Sequence, residues 1–555
     1  MIVKMKHLDL ACVKAERDAA VAALRSLGAV HLDLSRASGD AVAAVKGELA
    51  ETEKAVRLVM RTRAETGAGE GAKKRLSAGE IVAMGEKADA IAAECDDLAR
   101  EIAKAAPYGD FDPALAKKIL DAGIDISSFA ELPRELPRKR LSELEADLAD
   151  ARAKRGAILR EIASADAEAL SSRAAEISSR IAFESAKALM AEHGEVAVVS
   201  GWVPVTLVGA IEAEAKKMSW GYVLRDPADG ETPPTLVEPP KLFRPMKALF
   251  SGLGIAPAYT EADVSVPFMC YFSLFFAMLV GDGAYGAIFL ALTLAFRKKM
   301  PKSWFALLVT FSSATVAWGL LSNTWFGAGI PWCADWPTVK WLADPSYANM
   351  MLLCFTIGAS HLILARVWNG VCRAPDSTAL AEFGWAGIVL FMYFVTNAIV
   401  GIFPSIPKAM YWTFGVSLAL VFLFTVKPSQ LKTRGAELGM LPLNVMSALG
   451  DIISYVRLFA VGLASVKVAE NFNSLATSLV DGGHSFVVTA LMSVAMVAIL
   501  LVGHALNIAM AALSVLVHAV RLNTLEFSNH KGVSWSGYAF NPFGKQETKE
   551  RNKEQ

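Results

Sequence analysis

Apolar and polar positions alternate in more than one way along this chain of 555 residues. Over residues 2–9 (IVKMKHLD) the alternation has a period of two. Over 13–27 (VKAERDAAVAALRSL) apolar residues return every three or four positions, which predicts a strand followed by a helix. Gly28 precedes a second short strand, AVHLDL, and closes a small βαβ lobe. A similar order recurs near 195–226, where VAVVSGWVPV reads as a strand, TLVGAIEAEAKKM as a helix with Thr206 near its start, and WGYVLRD as a strand. Between these pieces, residues 40–65, 79–106 and 141–189 are rich in Ala, Glu, Lys and Arg, with thin stripes of Leu, Ile and Val. GAGEG, PYGDFDP and ELPRELPRK supply the turns. Thin stripes suit two-stranded coiled coil better than a globular core, so the pattern predicts a rod of helical hairpins with a lobe at each end.

After Pro233, Pro234, Pro239 and Pro240 the pattern becomes long apolar runs, at about 267–296, 304–326, 348–368, 383–403 and 410–426, followed by two very long ones near 442–475 and 486–528. Most of them reach the ~20 residues that span a bilayer. Charge follows the same division. The chain carries 55 Lys/Arg and 55 Asp/Glu, yet residues 264–526 hold only 14 and 10 of them. Two solvents are implied, and a net charge of zero argues against a nucleic-acid partner, which would demand a basic excess. The six cysteines are widely spaced, without a CxxC pair or zinc spacing, and read as small buried hydrophobes rather than a disulfide framework or metal site. MIVKMKHLDLACVKAERD lacks the apolar core of a signal peptide, which places the N-terminal half in the cytoplasm. No GxxxxGK[ST] occurs, and GAGEGAKKR lacks the preceding strand and following Ser/Thr of a phosphate loop. Neither nucleotide nor other cofactor is expected on this chain.

The positive-inside rule orients the runs. Arg297, Lys298, Lys299 and Lys302 follow the first run and belong inside, as does the domain before it, so that run must cross twice with Gly281-Asp282-Gly283 as an outer turn. Eight crossings result, with Arg366 and Arg373, then Lys427, Lys432 and Arg434, then Lys531, Lys545, Lys549, Arg551 and Lys553 inside. Only Lys340 and Lys408 lie in outside loops. One long tilted helix over the first run is the competing reading. The expected organisation is a cytoplasmic arm over 1–245, a linker over 246–265, a multi-pass membrane domain over 266–530 and a cytoplasmic tail over 531–555. The fold class is mainly α, with two small α+β lobes joined by helical hairpins and an eight-helix transmembrane domain.

The last two runs carry ionisable residues within apolar sequence. Asp451, Ser454, Arg457 and Ser465 step by threes and fours or their sums along the first of them, and His504, Asn507, Ala511, Ser514, His518 and Arg521 along the second, so each helix has a polar stripe. At 1.5 Å per residue the two runs would extend about 50 and 65 Å, beyond a hydrocarbon core of about 30 Å, so both must tilt or project. Buried charge in a membrane marks an ion path or a counter-ion. Arginine suits that position because it stays charged and forks onto a carboxylate. For Arg457 the plain rival is an ion pair with Asp451 or Glu437, of which a six-residue offset turns Asp451 about 120° away; for Arg521 it is snorkelling to the interface. His504 and His518 could equally be satisfied core histidines.

PFMCYFSLFFAMLVGDGAYG, NTWFG, SYVRLFAVGLA and HAVRLNTLEF, together with the coiled-coil arm, resemble the membrane-embedded stator subunit of V/A-type rotary ATPases, called subunit a in vacuolar and subunit I in bacterial enzymes. The resemblance covers nearly the whole chain, and its last two motifs are the specific ones. It implies an ion-translocating stator, non-catalytic toward ATP, in a bacterial-type cell membrane with both termini cytoplasmic. Its implied partners are a proteolipid c-ring, peripheral stalks, and the central-stalk, membrane-sector and catalytic-head subunits. Arg457 matches the family's essential arginine facing the ring carboxylate, Arg521 its second arginine, and Glu526 and His518 the inner half-channel. Ser465 and Ala511 stand where eukaryotic proton pumps have histidine and glutamate. Asp451, Glu470, Asn507 and His504 are candidates to replace those groups, and Ser454 lies on the same stripe. Whether the ion is H⁺ or Na⁺ stays open. A secondary ion-coupled transporter is the alternative, although such transporters usually show a repeat between membrane halves, and none is evident here.

Overall fold

A computed structural model describes residues 1–67, 74–110, 112, 114–115, 118, 121–122, 139–427, 436–480 and 486–544. Most of the GAGEG and ELPRELPRK turns, and Lys432, Arg434, Lys545, Lys549, Arg551 and Lys553, lie outside the described residues. The chain forms two compact units. One comprises residues 5–227 with the chain from Asn541 onward; the other comprises residues 1–4 and 228–540.

The first unit is built on strands β1 (Met5–Val13), β2 (Ala191–His193), β3 (Val196–Pro204) and β4 (Gly221–Arg225), ordered β2-β3-β1-β4 and antiparallel throughout. β1 runs beside β3 from Met5 opposite Pro204 to Val13 opposite Val196, and beside β4 from His7 opposite Arg225 to Ala11 opposite Gly221. The two βαβ pieces read from the sequence are therefore one lobe. A two-stranded piece cannot bury an apolar face by itself. Pairing the two lets Leu8, Leu10, Val199 and Val203 share a core with Ala20, Val21 and Leu24 of helix α1 (Arg17–Leu27) and Ile211 and Ala215 of the helix over Val208–Lys217. AVHLDL is no strand and contributes one isolated bridge, His31 to Trp202. Phe543 of the C-terminal segment joins this core, with its N–H donating to Val30 O at 2.7 Å.

Helices α2 (Asp40–Thr66), α3 (Ala78–Ala105), α4 (Leu141–Ala163) and α5 (Ala167–Ala188) form the hairpins, with α2 against α5 and α3 against α4. Ala55, Val59, Ile81, Ile162 and Leu170 make their narrow core. The stretch expected as one segment over 141–189 breaks at Ser164–Asp166, where Arg63 donates to the carbonyls of Ala163 and Ala165 at 3.0 and 2.8 Å. Ser77 starts α3 with a reciprocal cap: its Oγ accepts from Glu80 N, and Glu80 Oε2 accepts from Ser77 N at 2.8 Å. The N–H and hydroxyl of Ser77, both donating to it at 2.8 Å, hold the Glu80 carboxyl below the usual carboxylate range. A carboxyl lowered by folding contributes above its free value and loses that contribution as pH falls through it. Ser77→Ala is expected to destabilise this end of α3 by about 1 kcal/mol, read as faster amide exchange over the first turn of α3 with the β1 amides unchanged.

The second unit contains α6 (Met246–Leu253), α7 (Ser265–Val280), α8 (Gly283–Ala295), α9 (Lys302–Ser322), α10 (Ala348–Arg373), α11 (Thr378–Ile399), α12 (Lys408–Phe424), α13 (Leu441–Ile453), α14 (Val456–Ser478) and α15 (Phe486–Ser514). The last of these continues through π-helical turns Val515–Ala519 and Leu522–Phe527 to Lys531. Among the described residues, five helices are long and apolar enough to cross a bilayer: α9, α10, α11, α13 with α14, and Val488–Lys531. α7 and α8 meet at a bend of 118°, so the first run is not one long helix, and α12 is a shorter apolar helix. α7 is the most enclosed, with Phe268, Phe272, Phe275 and Met278 in the core. Cys12, Cys333 and Cys354 are buried as expected, but Cys270 and Cys372 are exposed, because they lie on outward faces of α7 and α10.

The α7–α8 turn is locked by close backbone approaches. Gly281 adopts φ +71°, Asp282 accepts from Ala284 N and Gly327 N at 2.8 Å each, and Gly283 N donates to Thr324 O at 2.9 Å. A Cβ on Gly319 would lie 2.2 Å from Gly283 Cα. The GDG and NTWFG motifs, far apart in sequence, are thus one packed element.

Candidate functional site

The break between α13 and α14 sets the position of Arg457. Tyr455 at that break is fully buried, its hydroxyl 2.9 Å from His361 Nδ1, and it packs so closely on Gly358 that a Cβ there would fall 2.5 Å from its ring. At the break the carbonyl of Ser454 accepts from both Arg457 N, at 3.3 Å, and Arg457 Nε, at 2.9 Å. Ser454 therefore serves through its backbone.

Glu526 reaches the same place by a different local geometry. Five residues along an α-helix turn a side chain about 140° away, so regular periodicity would separate Arg521 from Glu526. The π-helical turns around them follow i→i+5 bonding, which stacks residues five apart. As a result Glu526 Oε1 lies 2.8 Å from Arg457 Nη2 and 3.6 Å from Arg521 Nε. The carboxylate side chain is 6% exposed, Arg457 21% and Arg521 56%. One carboxylate is buried between two guanidinium groups, the second of which opens to the surface. Glu526 Oε2 and His518 Nδ1 are buried without a hydrogen-bond partner among the described residues, which marks them as places for water or a further partner. The span carrying Arg521 and Glu526 is the most apolar of the five, with mean hydropathy 2.2, and also the least covered, with 17% of its apolar window buried against 56% for α11.

A second polar cluster lies farther along the same helices. Ser465 Oγ donates to Asn507 Oδ1 at 3.0 Å, and Asn507 Nδ2 donates to Ser465 O at 2.8 Å and to the Tyr285 hydroxyl at 3.0 Å. That hydroxyl is 2.8 Å from His504 Nδ1. Ala511 is buried in the core, and Glu470 pairs with Lys467 at 2.7 Å on a more exposed part of α14.

The third cluster holds Asp451, which pairs with His530 Nε2 at 2.9 Å rather than with Arg457. His530 Nδ1 accepts from Arg366 Nε at 3.0 Å, and Glu382 pairs with Arg366 at 3.2 Å and Arg373 at 2.9 Å. The sequence reading did not single out Tyr285, His530, Arg366 or Glu382 as site residues. Tyr285 hid within an apolar turn motif, and the other three near loops read only for topology. A buried glutamate flanked by arginines one helix apart was the available signal.

Comparison with known proteins bears on this arrangement. No family model matches the chain. V-type ATP synthase subunit I 1 of Treponema pallidum is 28% identical over 98% of the chain and the whole of its own length. V-type ATP synthase subunit I of Borreliella burgdorferi is 31% identical over 64% of the chain. This chain is a homologue of V/A-type ATP synthase subunit I. The likeness extends to archaea, with A-type ATP synthase subunit I of Pyrococcus horikoshii 26% identical over 62% of the chain. The matched part spans 61% of the Borreliella protein and 53% of the Pyrococcus one. The likeness to these subunits and the long apolar helices together support a multi-pass membrane protein.

Proposed function

We propose that the chain is the ion-translocating stator of a V/A-type rotary ATPase, with α14 and the last helix set against a rotating proteolipid ring. The supporting observation is the buried Glu526 carboxylate shared by Arg457 and Arg521 on the most apolar and least covered span. In this reading the sparse coverage leaves a face for the ring. Arg521, partly exposed, and Arg457 favour the ionised form of a passing ring carboxylate, which gives up its ion to one half-channel and reloads from the other. The two cations also block direct leakage. Moving one charge against 100 mV requires about 2.3 kcal/mol, exchanged with rotation. ATP is hydrolysed or made on other subunits.

Glu526, His518, Asp451 and Ser454 belong to the inner half-channel in this reading, and Ser465, Asn507, His504 and Glu470 to the outer one. Taking α7 and α8 as two crossings and α12 as another gives eight, with both termini cytoplasmic. The helical hairpins form the arm that peripheral stalks grip, and the membrane domain meets the central-stalk and head subunits through the assembled complex.

Glu526→Gln keeps the shape but removes the charge that two arginines share. The expected result is ATP-driven ion uptake by the reconstituted complex slowed about 100-fold, the low end of the range for losing a proton-transfer group, and not abolished. Wild-type uptake would remove Glu526 from the path.

A further inference from the structure

The hydrogen bonds of the Tyr285 cluster fix the orientation of the Asn507 amide. Ser465 O is a carbonyl and can only accept, so the Asn507 side facing it at 2.8 Å is the amide nitrogen. That nitrogen's other hydrogen goes to the Tyr285 oxygen at 3.0 Å. The Tyr285 hydroxyl lies 2.8 Å from His504 Nδ1, where it can donate its hydrogen to the neutral ring or accept one from Nδ1–H. Tyr285 and Asn507 are fully buried, while His504 is half-buried and its Nε2 has no partner among the described residues. The imidazole has one edge anchored in protein and one edge open.

Few charged groups surround it. Asp282, at the start of α8, is taken up by the N–H groups of Ala284 and Gly327. Lys467 and Glu470 on α14 neutralise each other at 2.7 Å. α7 adds only Cys270 and Tyr271, α8 only Tyr285, and α15 no ionisable residue besides His504. Arg521 lies 17 positions further on, about 25 Å along a helix at 1.5 Å per residue. Among the described residues here, His504 carries the one imidazole, a group whose nitrogens both take up and give up a proton.

We infer that His504 is the proton-exchanging group of the outer access path, and that Tyr285 is the residue that positions it. The inference rests on the stator reading above and commits the outer path to protons. Neutral His504 takes a proton from hydronium, leaving water, and returns it to water or to a ring carboxylate. A hydroxyl both donates and accepts. Tyr285 can therefore donate to Nδ1 of the neutral ring and, after its own hydrogen turns away, accept from Nδ1–H of the charged one, keeping the ring in place through both states.

The test is ATP-driven transport by the assembled complex in vesicles as the pH on the outer side is varied, with ATP hydrolysis and subunit composition confirming assembly. The wild type should titrate with outer pH. His504→Gln should lower the rate about 100-fold and flatten that dependence on outer pH. Tyr285→Phe should retain the titration but move its midpoint by about one pH unit, the size of one hydrogen bond lost from one charge state. A merely structural role for Tyr285 would lower the rate without moving the midpoint. Wild-type rate and titration in His504→Gln overturn the inference, as does transport that follows Na⁺ at fixed pH. Arg457→Ala, run alongside, separates the two levels. A silent Arg457→Ala with a normal His504→Gln removes only the role of His504, whereas full transport in Arg457→Ala removes the stator reading itself.

Discussion

Arg457→Ala is expected to abolish coupled ion transport while leaving the subunit in its complex. The substitution takes away the closer of the two cations on Glu526, at 2.8 Å, and leaves Arg521 at 3.6 Å on the more exposed side. Glu526 is then left with the weaker of its two compensating charges. A passing ring carboxylate would also lose the charge that favours its ionised form. ATP hydrolysis should continue without ion movement, or stall, and the variant's subunits should still co-purify. Arg457→Lys should recover little, because an ammonium cannot serve both Ser454 O and Glu526 as the guanidinium fork does. Normal coupled transport in either variant would contradict the role given to Arg457.

A large structural effect is expected at Gly319. Any Cβ there meets Gly283 Cα at 2.2 Å and Gly283 N at 2.4 Å, and both contacts are backbone. α9 and the start of α8 would have to separate, breaking the Gly283 N to Thr324 O bond and the Asp282 bridge to Gly327. Gly319→Val should therefore cost more than about 4 kcal/mol and prevent accumulation of folded protein in the membrane. Gly415→Ala on α12 meets nothing within 4 Å and should be neutral or stabilising by about 0.5–1 kcal/mol. Membrane-fraction yield and thermal stability in mild detergent distinguish the two. Equal yields for both would show that the contact at Gly319 is less confining than its distances imply.

The sequence carried the lengths and types of most elements because strands and helices leave local periodicities. β1, β3, β4, α1 to α3 and the apolar helices lie close to where alternation placed them. Pairing is non-local, and there the reading failed: β1 sits between β3 and β4, nearly 200 residues downstream, so two expected lobes merged into one. Apolar runs also conceal breaks. Nothing in LPLNVMSALGDIISYVRLFAVGLA signals that helix geometry lapses at Ser454–Tyr455, yet that lapse supplies the carbonyl that aims Arg457.

The site was legible in composition more than in geometry. Arg457, Arg521 and Glu526 were named through their resemblance to a family rather than by periodicity, and the three side chains lie within 3.6 Å of one another through Glu526. A 3.6-residue repeat would have put Glu526 on another face, and the π-helical turns bring it back. Asp451 turned to His530, a partner 79 positions away that no spacing rule reaches. Tyr285 shows the same limit: its role depends on Asn507 and His504, more than 200 residues later.

Gentle detergent purification tests the central claim most directly. The subunit, tagged and extracted from its own membrane, should bring with it a small proteolipid and nucleotide-binding subunits, and the purified assembly should couple ATP hydrolysis to ion uptake in vesicles. A monodisperse single chain that transports ions by itself would contradict the stator account.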